Sequence, residues 1–214
     1  MFRINDTVKI KINNIKHDIY TPRMELLQGM IGKVVEIDEE EYIVVNLGVH
    51  DWVFLPTDLI KLKERGFEII KDEHRKHINS EIQLPIRGDS RSAGYDFYSN
   101  ETITLQPNQS HLFWTDVKAY MSDDEVLSIH VRSSIGTKKD LMLKNTTGII
   151  DSSYYENIDN DGNIGICLVN IGKDIQKIEK GERIAQGIFT KYLITDNDVY
   201  LKSERTGGFG SSGK

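Results

Sequence analysis

The feature that most constrains this chain is its hydrophobic period, which is two and almost never 3.6. Val8 to Ile12, Lys33 to Ile37, Tyr42 to Leu47, Val126 to Val131 and Ile164 to Asn170 alternate apolar and polar residues, and Gly, Asn and Asp separate the runs. A strand sends successive side chains to opposite faces, so each run reads as a strand with one buried face. Many short strands closely spaced predict an all-β fold. The best short helix candidate is Ser122 to Leu127. No apolar run approaches the length of a membrane span, and Met1 to Ile12 lacks the apolar stretch of a secretory signal. The single cysteine, Cys167, has no intramolecular disulfide partner, and a reducing cytoplasm is the expected location.

The pattern divides the 214 residues near position 64. In residues 1–64, Val8, Ile10 and Ile12 alternate, Gly29 and Gly32 precede the run Lys33-Val-Val-Glu-Ile37, and Trp52, Phe54 and Leu59 close the segment. This resembles a small SH3-like β-barrel. Residues 65–214 form a second module opening with the strand Phe67-Glu-Ile-Ile70. A net charge of −6 means that a polyanionic ligand needs a local basic site. In the first module Lys9, Lys11, Lys16 and Arg23 are balanced by Glu36, Asp38, Glu39, Glu40 and Glu41, with no basic stripe interleaved with aromatics, so nucleic acid is not favoured as a partner.

Five segments of the second module carry candidate chemistry. Ser92-Ala-Gly-Tyr-Asp-Phe97 places Asp96 on the face opposite two aromatics. Val131-Arg-Ser-Ser-Ile-Gly136 offers a guanidinium fork at Arg132, with hydroxyls and N–H groups at Ser133 and Ser134, as a phosphate cradle. Gly148 to Ile158 carries Asp151, a carboxylate able to orient or deprotonate water, and Tyr154 and Tyr155, able to stack on a sugar or base. Gly181 to Phe189 holds Gln186 in an otherwise apolar strand. Arg205-Thr-Gly-Gly-Phe-Gly-Ser-Ser-Gly-Lys214 is a glycine-rich arm able to order over a phosphorylated ligand. Each segment alone also reads as an ordinary strand, turn or frayed tail.

Together and in this order the five segments resemble the motifs of the trimeric dUTPase family over residues 65–214. The resemblance implies a β jelly roll, a homotrimer with active sites shared between subunits, and Mg²⁺-dependent hydrolysis of dUTP to dUMP and pyrophosphate. That activity limits uracil incorporation into DNA and supplies dUMP for thymidylate synthesis. By the resemblance Asp151 is catalytic and positions the attacking water, and Asp96 holds hydrated Mg²⁺ through water. Arg132, Ser133, Ser134 and Gln186 contact phosphate, Asn145 lies near the uracil, and Tyr154 packs under the deoxyribose. Arg205, Phe209 and Ser211 belong to a mobile arm, about residues 203–214, that closes over substrate.

The chain departs from the family pattern in three places. Glu156 stands where a glycine usually follows the tyrosine by two residues, Asn157 to Gly162 reads as a looser and more polar turn, and the arm is one residue short between Arg205 and Phe209. Two rival readings remain. The related dCTP deaminases share the Arg-Ser-Ser turn, but they need a glutamate on the strand here reading Gly165-Ile-Cys-Leu-Val169, and they lack the arm. A regulatory protein that binds a protein partner through residues 1–64 is the other.

Overall fold

A computed structural model of the chain describes residues 2–13, 15–38 and 42–200. It falls into two compact units, Met1–Glu64 and Arg65–Lys214. The first unit is one antiparallel sheet of β1 (Thr7–Ile10), β2 (Ile31–Asp38), β3 (Tyr42–Asn46), β4 (Asp51–Phe54) and β5 (Leu59–Lys61), in the order β4-β3-β2-β1-β5. Alternation puts Val8, Ile10, Val34, Ile43, Val45 and Phe54 inside, each at most 2% exposed. Gly29, at φ +82°, turns the chain into β2 in a conformation that only glycine adopts at little cost. A buried polar cluster accompanies this core: the Asp58 carboxylate accepts from the Tyr20 hydroxyl (2.6 Å) and from the main-chain N–H of Asn13 (2.8 Å).

The second unit contains β6 (Gly66–Ile69), β7 (Ile86–Arg87), β8 (Tyr95–Tyr98), β9 (Ile103–Leu105), β10 (Ser110–Trp114), β11 (Val117–Tyr120), β12 (Glu125–Val131), β13 (Leu141–Leu143), β14 (Gly148–Asp151), β15 (Gly165–Asn170), β16 (Gln176–Ile178) and β17 (Arg183–Lys191). The pairings among these strands are antiparallel. A five-stranded sheet runs β14-β12-β17-β8-β7, a three-stranded sheet runs β10-β15-β13, and β11 pairs β6 as β16 pairs β9. Phe97, Phe113, Leu127, Ile129, Leu141 and Leu168 share one buried cluster drawn from both larger sheets. Burial of that apolar surface is the main stabilising contribution, at roughly 25 cal/mol per Å² removed from water.

The helix expected at Ser122 to Leu127 does not form. Ser122 opens a single reverse turn, with its carbonyl accepting from the Glu125 N–H (3.0 Å), and the chain is extended from Glu125 onward as β12. The alternation that buries Leu127 and Ile129 against the core overrides the local turn signal. The α-helix of this unit is instead α1 (Ser133–Lys139), which starts from an extended Arg132 and carries Lys138 and Lys139 in its last turn, where cations suit the helix C-terminus.

Candidate active site

Three strands of the large sheet bring the first cluster together. Gln186 on β17 lies opposite Asp96 on β8 and opposite His130 on β12, so the three side chains form a row on one face. Asp96 is 5% exposed. Arg132 Nε lies 3.1 Å from its Oδ1, and Arg183 Nη1 donates to its Oδ2 at 3.2 Å. One carboxylate therefore sits between two permanently charged guanidinium groups, leaving an excess of one positive charge at the end of the row. Gly94 is the close-approach position here, because a Cβ on it would lie 2.5 Å from Gln186 Oε1.

Arg183 is a residue that the sequence reading missed, although it lies in a segment singled out there. Strict alternation sends residues 183 and 186 to opposite faces. The register of β17 against β8 shifts between Arg183 and Ala185, and this irregularity turns both toward Asp96. Ser133 and Ser134 are exposed in the first turn of α1, immediately after Arg132.

A second cluster is a pocket of about 170 Å³. Ile129, Ile149 and Ile166 make apolar walls, and Asn145, Tyr154 and Cys167 add polar atoms. The expected pair Asn145 and Tyr154 thus share one cavity, whereas Asp96, Arg132, Gln186 and Asp151 are not among its lining residues. Gly148 lets β14 close on β12, since a Cβ there would sit 3.0 Å from Ile129 Cβ. Lys144 N–H donates to the Cys167 carbonyl (2.9 Å) and the Tyr154 hydroxyl donates to the Asn163 carbonyl (2.8 Å), so the main chain of both residues faces this side. Gly165, midway between them, lines the cavity, and alternation along β15 turns its main-chain N–H and C=O to the same side as those of Cys167. A flat heterocycle with adjacent donor and acceptor groups matches such an edge.

Asp151 is exposed at the end of β14, opposite Val126 on β12. It stands immediately before the short 3₁₀ turn Ser152–Tyr154, without a side-chain cap bond to it, and that turn carries Tyr154 into the pocket. The carboxylate and the aromatic floor are therefore fixed to one another by a single turn of chain. Arg205, Phe209 and Ser211 lie outside the described residues.

The turn after Tyr154 is polar, as its composition suggests, but it is not loose. Asn157, Asp161 and Asn163 are at most 7% exposed. Asn157 Oδ1 accepts from the N–H groups of Asp159 (3.1 Å) and Asn160 (3.2 Å), and Asn160 Oδ1 accepts from Gly162 N–H (3.1 Å). Lys118, 4% exposed, donates to Glu156 (3.0 Å) and to both oxygens of Asp161 (3.2 and 3.1 Å). Burial alone would lower the Lys118 pKa, but its bonds to Glu156 and Asp161 outweigh that and hold it above the ordinary lysine value. Burial and the Glu68 carboxylate likewise push the neighbouring Tyr155 phenol upward. Glu156 adopts φ +54°, and Gly162 (φ +83°) packs against the main chain beside it, where a Cβ would lie 2.8 Å from the Tyr154 carbonyl and 3.2 Å from the Glu156 nitrogen.

A family model described as dUTPase matches residues 80–213, more than half of the chain. The chain belongs to the dUTPase family. The deoxyuridine 5'-triphosphate nucleotidohydrolase of Lactococcus lactis subsp. lactis is 44% identical over 153 residues, covering 71% of this chain and 99% of that protein. The corresponding protein of Rattus norvegicus is 34% identical, covering 64% of this chain and 65% of its own. Among solved structures, the dUTPase of Streptococcus mutans is similar with a TM-score of 0.54 and 38% identity, over 61% of this chain and 98% of that one. The Staphylococcus bacteriophage 80alpha dUTPase with dUPNHPP is similar with a TM-score of 0.52 and 25% identity, over 72% and 100%. The second unit of this dUTPase-family chain thus has the family's all-β jelly-roll fold.

Proposed function

We propose that the chain hydrolyses dUTP to dUMP and pyrophosphate. The pocket carries this reading: an aromatic floor at Tyr154, a main-chain edge at Gly165 and a carboxylate at Asp151 one turn away, in a dUTPase-family fold whose relatives are named for that reaction. Uracil lies against the Gly165 edge beside Asn145, and the deoxyribose lies on Tyr154, too close for a 2′-hydroxyl. A base with the wrong donor and acceptor order leaves buried main-chain groups unpaired, which is strongly discriminating. Asp151 orients the water that attacks the α-phosphorus and takes its proton. Arg132, with Ser133, Ser134 and Gln186, faces the phosphates, and Arg205, Phe209 and Ser211 close over the bound nucleotide.

The donor set suits a divalent ion, and Mg²⁺ in particular. Among the described residues no three His, Cys, Asp or Glu side chains cluster as a metal cage. Asp96, whose two oxygens already pair with Arg132 and Arg183, would meet such an ion through water, and an ion held mainly by water and triphosphate oxygens is the habit of Mg²⁺. Such an ion would neutralise charge on the leaving pyrophosphate. The active assembly is a homotrimer with shared sites, working in the cytoplasm; no helix among the described residues is long and apolar enough to cross a membrane.

Residues 1–64 are read as a separate SH3-like domain available to a protein partner. The share of this chain not matched to the Lactococcus relative has no counterpart there, since 99% of that protein is already covered. Pyrophosphate release from a panel of dUTP, dCTP, dTTP and UTP, with and without Mg²⁺, tests the activity. Release from dUTP alone is expected. Ammonia release from dCTP, or equal turnover of UTP, overturns it.

A further inference from the structure

Tyr154 is gripped at both ends by the loop that follows it. Asn157 Nδ2 donates to the Tyr154 carbonyl (2.8 Å), and Asn160 Nδ2 donates to the Tyr154 hydroxyl (2.8 Å). That hydroxyl in turn donates to the Asn163 carbonyl (2.8 Å), so its one proton and one lone pair are both committed. The Asn160 carboxamide is itself fixed. Its oxygen accepts from Gly162 N–H (3.1 Å) and from Asn157 Nδ2 (2.8 Å), which requires its nitrogen to face the phenol. The base of the loop is anchored by Asp161 on the buried Lys118 and on the Lys71 N–H (2.8 Å). The result is an aromatic ring, 4% exposed, that lines the pocket and is held at its far end by a side chain outside the pocket wall.

We propose that Asn160 is a positioning residue: through the Tyr154 hydroxyl it fixes the tilt of the ring beneath the sugar and so sets how strongly a 2′-hydroxyl is rejected. The inference rests on the reading of this pocket as a 2′-deoxynucleoside site. An extra oxygen needs only a small retreat of the floor, and a ring clamped by a donor and an acceptor at once resists that retreat. Loss of the clamp admits the ribonucleotide more readily and places the deoxyribonucleotide less well.

The test compares kcat/KM for dUTP and for UTP in the wild type, Asn160→Ala, Asn160→Asp, Tyr154→Phe and the Tyr154→Phe/Asn160→Ala double variant. Asn160→Asp keeps an accepting oxygen for Gly162 N–H and exchanges the donor amide for a charged acceptor, so it reads the reversal of the bond if the alanine variant folds poorly. Each Asn160 variant is expected to lower the dUTP/UTP ratio about tenfold, the worth of one buried hydrogen bond. The double variant should match Tyr154→Phe alone, because both substitutions remove the same contact. A purely structural role lowers both substrates together and leaves the ratio unchanged. A ratio within twofold of wild type in both Asn160 variants, or additive effects in the double variant, overturns the inference. A wild type inactive on dUTP instead overturns the reading of the site on which the inference rests.

Discussion

Replacing Lys118 by Met isolates the electrostatics beneath the pocket. The Lys118 side chain is 5% exposed and its Asp161 partner 2%, so both charges are desolvated, while Glu156 is half exposed. Methionine keeps the apolar stem and removes the ammonium. Asp161 would then retain the Lys71 N–H at 2.8 Å and the exposed Lys71 ammonium at 3.8 Å. Removing one member of a buried pair costs about 3–5 kcal/mol because a charge is left behind, and the remaining Lys71 contacts place this case near the lower end, at about 3 kcal/mol. For a domain of this size each kcal/mol shifts Tm by about 2–4 °C, so a fall of roughly 6–12 °C is expected. Adding Asp161→Asn should recover most of it, since the orphaned charge is gone and asparagine tolerates the φ of +56° at that position. Calorimetry and urea unfolding at one fixed protein concentration measure both steps, because assembly makes Tm concentration-dependent. A loss below about 1 kcal/mol, or no recovery in the double variant, would refute the account of Lys118 as the buried anchor of the loop.

Asp151→Asn should reduce turnover of dUTP by about 10²–10⁴ while KM stays within about tenfold, as steady-state kinetics would show; near wild-type turnover would remove Asp151 from the base role. A chain beginning at Arg65 should retain dUTP hydrolysis, since the five motifs all follow that point; an inactive or insoluble product would mean that the first unit is needed by the second. Tyr20, Tyr98 and Tyr155 all have raised phenol pKa values, each with burial as the largest cause. Their folded-state pKa values exceed the unfolded ones, so the stability that these groups and Lys118 contribute is complete below about pH 10 and is lost as pH rises through the folded values. Tyrosinate absorbance of the native protein should therefore stay below the value for all nine tyrosines until alkaline unfolding, and full ionisation at about pH 10.5 without unfolding would contradict it.

Strands were the legible part of this fold, because a period of two is exact and a buried face leaves no freedom of register. The motif residues were legible as types: Asn145 and Tyr154 do share a cavity. What could not be read was geometry that breaks the period or joins distant chain. The irregularity that brings Arg183 onto Asp96 has no mark of its own in Arg183-Ile-Ala-Gln186. Gly165 and Cys167 meet Asn145 only because β15 lies beside β13. The segment 157–162 reads as a looser, polar turn in the sequence, yet Asn157 and Asp161 are buried. Here their side chains bond main-chain groups and take the place of a ladder. The Ser122 turn was mistaken for a helix because one reverse turn and one helical turn begin with the same residues.

The loop between Tyr155 and Gly162 returns almost to its point of departure: a Cβ on Gly162 would stand 3.2 Å from Tyr155 Cα. The two ends of the loop therefore pack directly against one another. Residues 156–161 are thus a closed detour on the path from β14 to β15. Its side chains are nevertheless tied inward, Asp161 to the buried Lys118 and to the Lys71 N–H, so the detour can be rewritten only where those bonds are kept. The floor of the pocket is then open to evolutionary adjustment from outside the pocket wall, by residues that never need to touch a ligand.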